Sequence, residues 1–249
     1  MDLSERSPAL RRRHPWETTR AGFFERVLRE QGVVAGEVEV LDVGAGDAYF
    51  ARRLAASLAP GSLVTAWDSA YSAADLASLH AEGAGRLVAT AARPAGTFDV
   101  ALLLDVLEHV EDDAAFLRDV AANLVRPGGA LLISVPTWPA LFSDHDVALG
   151  HHRRYRPRDA ASLLRAAGLT LRLHGGLFHS LLAPRASQRL VDRVREPRGA
   201  RPNLSGWRHG AAVTRVVEAA LGAEARASLA LARGGLDLPG LSWWALCTT

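Results

Sequence analysis

Lysine is missing from this chain altogether: its 29 basic side chains are all arginine, set against 27 acidic ones for a formal net charge of +2. So small an excess gives no electrostatic footing for nucleic acid, which needs cations clustered on one face, and no nucleic-acid partner is expected. The all-arginine complement reads as codon composition rather than function. Cysteine is nearly absent as well. The single Cys247 excludes an internal disulfide framework and Cys-rich metal sites, and nothing in the chain requires an oxidising compartment. No uninterrupted apolar run approaches the roughly 18 residues that span a bilayer. Met1 to His14 is too charged for a secretory signal, so a cytoplasmic location is expected. Repeats and low-complexity tracts are lacking too, apart from Arg193 to Gly206, where Arg, Pro and Gly gather and a mobile loop is expected. What is present is 249 residues with 49% hydrophobic content, enough to fill the core of one large α/β domain with an appendage.

The most informative stretch runs from Val40 to Phe50, where a buried strand breaks into a glycine turn that opens a helix. Gly44 and Gly46 have no Cβ, so the turn can take left-handed angles and a ligand can lie against the backbone, facing the N–H groups of the next helix. Such turns also occur for purely structural reasons. Dinucleotide sites want G-x-G-x-x-G, with pyrophosphate on the helix N-terminus, and here the third position is Tyr49. Asp42, two residues before the first glycine, suits a cationic ammonium better than a pyrophosphate. An aminoacyl-type ligand is therefore favoured over a nicotinamide dinucleotide. The D-x-G-x-G turn resembles motif I of class I S-adenosylmethionine (SAM)-dependent methyltransferases, with Ala48 where that motif has a further glycine.

The following segments strengthen the resemblance. Ser62 to Asp68 reads as a second strand, and Asp68 falls where an acid about 20 residues past the glycines accepts hydrogen bonds from both ribose hydroxyls, or else caps the helix near Ser72. Phe98 to Val110 is a near-continuous apolar run, as in a central parallel strand covered on both faces, and it ends in Asp105, Glu108 and His109 at the edge where open α/β sheets bind ligands. F-D-V-x-x-x-x-D-V-L-E-H is similar to the corresponding segment of methyltransferases related to the quinone-biosynthesis enzymes. A helix over Asp112 to Val125 leads into Arg126 to Pro136, whose R-P-G-G-x-L-L-I-S-V-P resembles motif III of the same superfamily. The third strand, Arg86 to Thr90, departs from the pattern. These enzymes often place there an Asp for the adenine amino group, whereas Thr90-Ala91-Ala92 leaves Thr90 or the backbone to receive it.

The resemblance implies a Rossmann-like, doubly wound, seven-stranded sheet, mostly parallel with an antiparallel last strand. It forms one domain over residues 1–249, with a helical lid (1–36), a SAM-binding core (37–136) and an acceptor side (137–249). Trp16 and Arg20, four apart on an amphipathic helix through Glu30, share one face and would either cover the cofactor or pack against the sheet. The implied cofactor set is Asp42, Gly44, Gly46, Asp68, Thr90, Asp105, Trp16 and Arg20.

Trp138 to Tyr155 shows little helix or strand periodicity and concentrates polar, aromatic and cationic side chains, as functional loops do. F-S-x-H-D-x-x-x-G-H-x-R-R-Y resembles one subgroup of bacterial class I methyltransferases. His151, His152, Arg153, Arg154 and Tyr155 are the candidate substrate contacts, the arginine pair serving as a clamp on an anionic group or as a solvated face. Three His and two acids within nine residues would suit a divalent ion. No compact ligand repeat accompanies them and the two arginines oppose a cation, so no metal is expected. Pro157 to Ala167 reads as a helix, Leu169 to His174 as a strand, and Leu236 to Thr249 as a hairpin with the antiparallel strand. Leu177 to Val194 and Trp207 to Leu231 read as amphipathic helices that pack, roof the pocket, form a dimer face or touch a membrane surface.

The expected function is SAM-dependent methyl transfer to a small molecule, oxygen favoured over carbon or nitrogen. Alignment in a desolvated pocket supplies much of the rate, and His145, then His109, are the candidate bases. The alternatives are a methyltransferase-fold protein that binds SAM or its demethylated product without transfer, as a scaffold or a cyclase-like catalyst, and a nicotinamide enzyme. A monomer or a homodimer fits equally.

Overall fold

In the computed structural model of the chain, residues 13–82, 85–194, 207 and 209–249 are described. The loop expected over Arg193 to Gly206 lies almost wholly outside them, as does most of Met1 to His14. Seven strands form one sheet: β1 Glu39–Val43, β2 Leu63–Trp67, β3 Leu87–Thr90, β4 Phe98–Leu104, β5 Val125–Pro136, β6 Thr170–Leu177 and β7 Ser242–Thr248. Their order is β3-β2-β1-β4-β5-β7-β6. The pairs from β3 through β5 are parallel, and β7 runs antiparallel to both β5 and β6. This is the mostly parallel, doubly wound sheet that the motifs imply.

The strands form because their apolar residues serve two cores at once. In β4, Val100 and Leu102 enter one cluster while Ala101 and Leu103 enter the other; in β5, Leu132 opposes Leu131 and Ile133 in the same way. Side chains alternate across a sheet, so a strand covered on both faces must be apolar throughout. One face is covered by α1 Pro15–Glu30, α2 Tyr49–Ser57, α3 Ala73–Glu82 and the later α8 Ala211–Arg233; the other by α4 Asp113–Asn123 and α6 Pro157–Ala166. Between them come α5 Asp144–Ala148 and α7 Leu182–Val194. The N-terminal helix buries Phe23, Phe24, Val27 and Leu28 in the first cluster, and Thr18 donates to Glu218 Oε1 of α8 at 2.8 Å. Among the described residues no helix is long and apolar enough to cross a membrane.

Three elements differ from the sequence reading. The segment from Trp138 to Tyr155 is not wholly irregular, because Ser143 and Asp146 form a reciprocal capping box that nucleates α5. Strand β6 runs on through Gly175 and Gly176 to Leu177, so the next helix begins at Leu182 rather than Leu177. The last amphipathic helix starts at Ala211, four residues later than Trp207, with Gly210 as its N-cap.

The β6 and β7 edge depends on backbone contact that only glycine allows. A Cβ on Gly240 would lie 2.3 Å from both the nitrogen and the oxygen of Leu177. Thr137 Oγ1 and Trp138 Nε1 also both donate to the Gly240 carbonyl, at 2.6 and 2.9 Å. Gly240→Ala should therefore cost at least about 2 kcal/mol of stability, since backbone cannot yield as a side chain can. Urea denaturation of the two proteins measures it.

Candidate active site

The strand order reverses between β1 and β4, which opens a crevice at the carboxyl ends of the strands. A cavity of about 650 Å³ occupies it, within the range of small-molecule sites. Gly44 and Gly46 line it with φ of 62° and 54°, and Ala48 also takes the left-handed region at 54°. A non-glycine residue pays roughly 1–2 kcal/mol for that conformation. Burial of the Ala48 methyl, fully enclosed in the core, offsets part of it.

Asp68, at the tip of β2, accepts from the Gly46 N–H through Oδ2 and from the Ala70 N–H through Oδ1, each at 2.9 Å. It lines the cavity, and each carboxylate oxygen keeps a second acceptor position. Across the crevice Asp105, with φ of 59°, accepts from Ser134 Oγ at 2.8 Å and from the Arg20 guanidinium. The Arg20 Cζ lies 4.9 Å from the centre of the Trp16 ring. Trp16, Arg20 and Asp105 thus come together at the cavity wall, and the ion pair ties α1 to the end of β4.

Two expected cofactor contacts lie elsewhere. Asp42 is buried beneath the turn, facing a second cavity of about 50 Å³ beside Arg13 and Asp47 rather than the main one. Burial, with Asp47 and Asp68 near it, pushes its carboxyl up to about 7. Thr90 does not line the cavity, because its hydroxyl turns to donate to Ala92 O at 2.9 Å.

The loop from Trp138 to Tyr155 folds back over the crevice. Thr137 and Tyr155 pair as a parallel bridge at its base, and the His152 N–H donates to Glu108 O at 2.7 Å. This brings His145, His151 and Arg154 to the cavity, where His109 also lies. The other three candidate substrate contacts point away. His152 meets β4's exit through its backbone, Arg153 reaches Glu111 O and Asp113, and buried Tyr155 donates to Asp113 Oδ2 at 2.7 Å. A one-residue step along an extended segment reverses the side chain, so adjacent residues cannot all face inward.

Glu108, His109 and His151 each bring one nitrogen or oxygen within 4.8 Å of the others. Glu108 is fully buried, and among the described residues neither carboxyl oxygen has a hydrogen-bond partner. Burial pushes its carboxyl up to about 8, so at neutral pH it carries its proton. A cation held there would have to displace that proton. The sequence reading places Glu108 at this edge but gives it no role of its own. Asp146 and Arg185 were missed. The Ser143-x-x-Asp146 spacing was a usable signal for the first; Arg185 reaches the cavity only through the packing of α7.

The strand order and the crevice at its reversal have the form of the methyltransferase fold. The chain belongs to the family described as "Methyltransferase domain", whose profile matches residues 9–174, more than half of its length. It is similar to the ubiquinone biosynthesis O-methyltransferase of Xanthomonas axonopodis pv. citri, 33% identical over 161 residues, 56% of this chain and 66% of that one. The fold matches an S-adenosylmethionine dependent methyltransferase from Mesorhizobium loti, with TM-score 0.54 and 18% identity over 90% of this chain and 96% of the other. It also matches the [4+2]-cyclase SpnF, with TM-score 0.53 and 17% identity over 91% and 79%.

The raised Glu108 carboxyl has a measurable consequence. Between its ordinary value of 4.5 and about 8, the native state holds a proton that the unfolded chain has released. This contribution is fully present below the lower value and is lost as pH rises through the upper one, at a slope of about 1.4 kcal/mol per pH unit. Glu108→Gln should remove it, so denaturation midpoints from pH 5 to 8.5 should shift in the variant's favour as pH increases.

Proposed function

We propose that this protein transfers a methyl group from SAM to a small-molecule acceptor, with oxygen as the favoured atom. The observation that carries the reading is the left-handed turn at Gly44 and Gly46, held by the Asp68 carboxylate and opening onto a cavity whose far wall bears three imidazoles. The relative named an O-methyltransferase supports oxygen over carbon or nitrogen. When bound, SAM supplies a methyl on a cationic sulfur, and in-line attack by an acceptor lone pair disperses that charge.

The residues present fit such a ligand. Backbone at Gly44 and Gly46 leaves room for close approach, the spare acceptor positions of Asp68 suit ribose hydroxyls, and Trp16 with Arg20 encloses the mouth. Backbone after β3 would hold adenine, since the Thr90 hydroxyl is already engaged by Ala92 O. Asp42 acts from beneath, steadying the turn. Phe116, Phe178 and Leu149 give the acceptor an apolar body to lie against, and their exclusion of water strengthens every charge interaction inside. His109, His145 and His151 stand ready to accept a proton, and Arg154 to bind substrate. We take residues 1–249 as one catalytic domain, with 1–36 as lid, 37–136 as cofactor core and 137–249 as acceptor side, working in the cytoplasm as a monomer or homodimer.

The second reading is a protein of this fold that binds SAM or its demethylated product without transferring methyl. SpnF is named a cyclase and shares the fold, which by itself does not dictate the reaction. Calorimetry with S-adenosylhomocysteine should show binding by the wild type. Asp68→Ala should weaken it by about 1–3 kcal/mol, the cost of unpaired hydroxyl partners. Labelled SAM incubated with phenolic and catechol acceptors should yield the demethylated product only when acceptor is present. Binding without turnover under any acceptor would support the second reading, and no binding at all would refute both.

A further inference from the structure

Among the three imidazoles of the cavity, the geometry singles out one. His151 Nδ1 lies 3.1 Å from Asp146 Oδ1, and the backbone N–H of His151 donates to Asp146 O at 2.9 Å. Asp146 is fully buried, and its carboxylate also accepts from Ser143 N at 2.9 Å, Ser143 Oγ at 3.0 Å and Arg154 Nε at 2.7 Å. Burial alone would raise this carboxyl, but the hydrogen bond from His151 and the charge of Arg154 outweigh it and hold it well below the carboxylate range. The group is therefore an anion throughout the working pH range.

An anionic oxygen at Nδ1 selects the imidazole tautomer with its proton on that nitrogen, which leaves the Nε2 lone pair unused. Among the described residues no carboxylate bonds the His145 ring, and burial together with Arg185 lowers its affinity for a proton. His109 stands edge-on to His151, with ring centres 4.6 Å apart, and serves as its wall.

Resting on the methyl-transfer reading above, we propose that His151 Nε2 is the base that takes the acceptor hydroxyl proton, with Asp146 as the residue that positions it. The acceptor O–H bond breaks as Nε2–H forms, and the oxygen pair makes the new C–O bond. The C–S bond breaks with its electrons kept by sulfur, leaving a neutral thioether. The proton passes from His151 to water when product leaves. Glu108, carrying its own proton within the same cluster, adds no second negative charge near the nascent oxyanion.

The test compares H151Q, H145Q and D146N in the full chain, using a catechol as acceptor. H151Q should lower kcat about 100-fold or more, the range of a lost general base, with its affinity for S-adenosylhomocysteine unchanged, and imidazole should restore turnover in H151A. D146N should lower kcat with the affinity for S-adenosylhomocysteine unchanged, and should alter the nitrogen NMR signature of the His151 ring; a merely structural residue would leave that signature as it is. H145Q should cost less than H151Q. A threefold or smaller effect of H151Q, a larger one for H145Q, or turnover that disappears on chelation and returns with Mg²⁺ each overturns the proposal. Nitrogen NMR of the imidazoles in the S-adenosylhomocysteine complex separates this from failure of the methyl-transfer reading. His151 should carry its proton on Nδ1 whether or not any acceptor turns over, and a proton on Nε2 refutes the assignment.

Discussion

The reversal of strand order between β1 and β4 is the constraint on which the rest of the molecule depends. Chain leaving β1 turns to one face of the sheet, and chain leaving β4 turns to the other, so nothing fills the space between their carboxyl ends. Both exits use left-handed backbone, at Gly44, Gly46 and Ala48 on one side and Asp105 on the other. Three of these turn the chain sharply enough to present N–H groups and a carboxylate into one crevice. The packing of Val106 against Gly44, where an added Cβ would come within 3.0 Å, keeps the two exits in contact.

Charge around this crevice is arranged in layers. Closest to the turn, Asp68 is satisfied by backbone N–H groups, so it keeps its position with no partner of opposite charge. On the wall between sheet and first helix, Asp105 and Arg20 pair. Over the top, Asp146 gathers Ser143, His151 and Arg154 around one fully buried carboxylate. Removing one partner from such a buried network leaves an uncompensated charge, which costs more than the pairing gains. The overhanging loop is therefore rigid where it meets the cavity, although little regular secondary structure supports it.

Much of this was legible in the sequence, and for physical reasons. Parallel strands buried on both faces show as apolar runs, and an α/β sheet places its chemistry where such runs end in charge. Val40 to Gly46, Ser62 to Asp68 and Phe98 to His109 therefore located the cofactor edge. Where sequence reading fell short, the deciding contacts were tertiary. The direction of His152, Arg153 and Tyr155 depends on how the loop is clasped to β4 and α4. The hydroxyl of Thr90 is diverted by a carbonyl two residues away. Gly175 and Gly176 read as a strand end, yet β6 continues through them, and at Gly176 the backbone of Leu238 and Gly240 lies too close for any side chain. Five residues are too few to show helical periodicity, so α5 was visible only through its cap.

The bridge between Thr137 and Tyr155 closes the overhanging loop at its root, while Trp138 anchors the same root to Gly240. Whatever lies beyond that clasp is a closed circuit whose ends stay fixed. The interior of that circuit can change in sequence without moving its ends or the glycine turn on the other side of the crevice. One chassis can in this way carry successive chemistries, each inherited with a ready-made methyl supply.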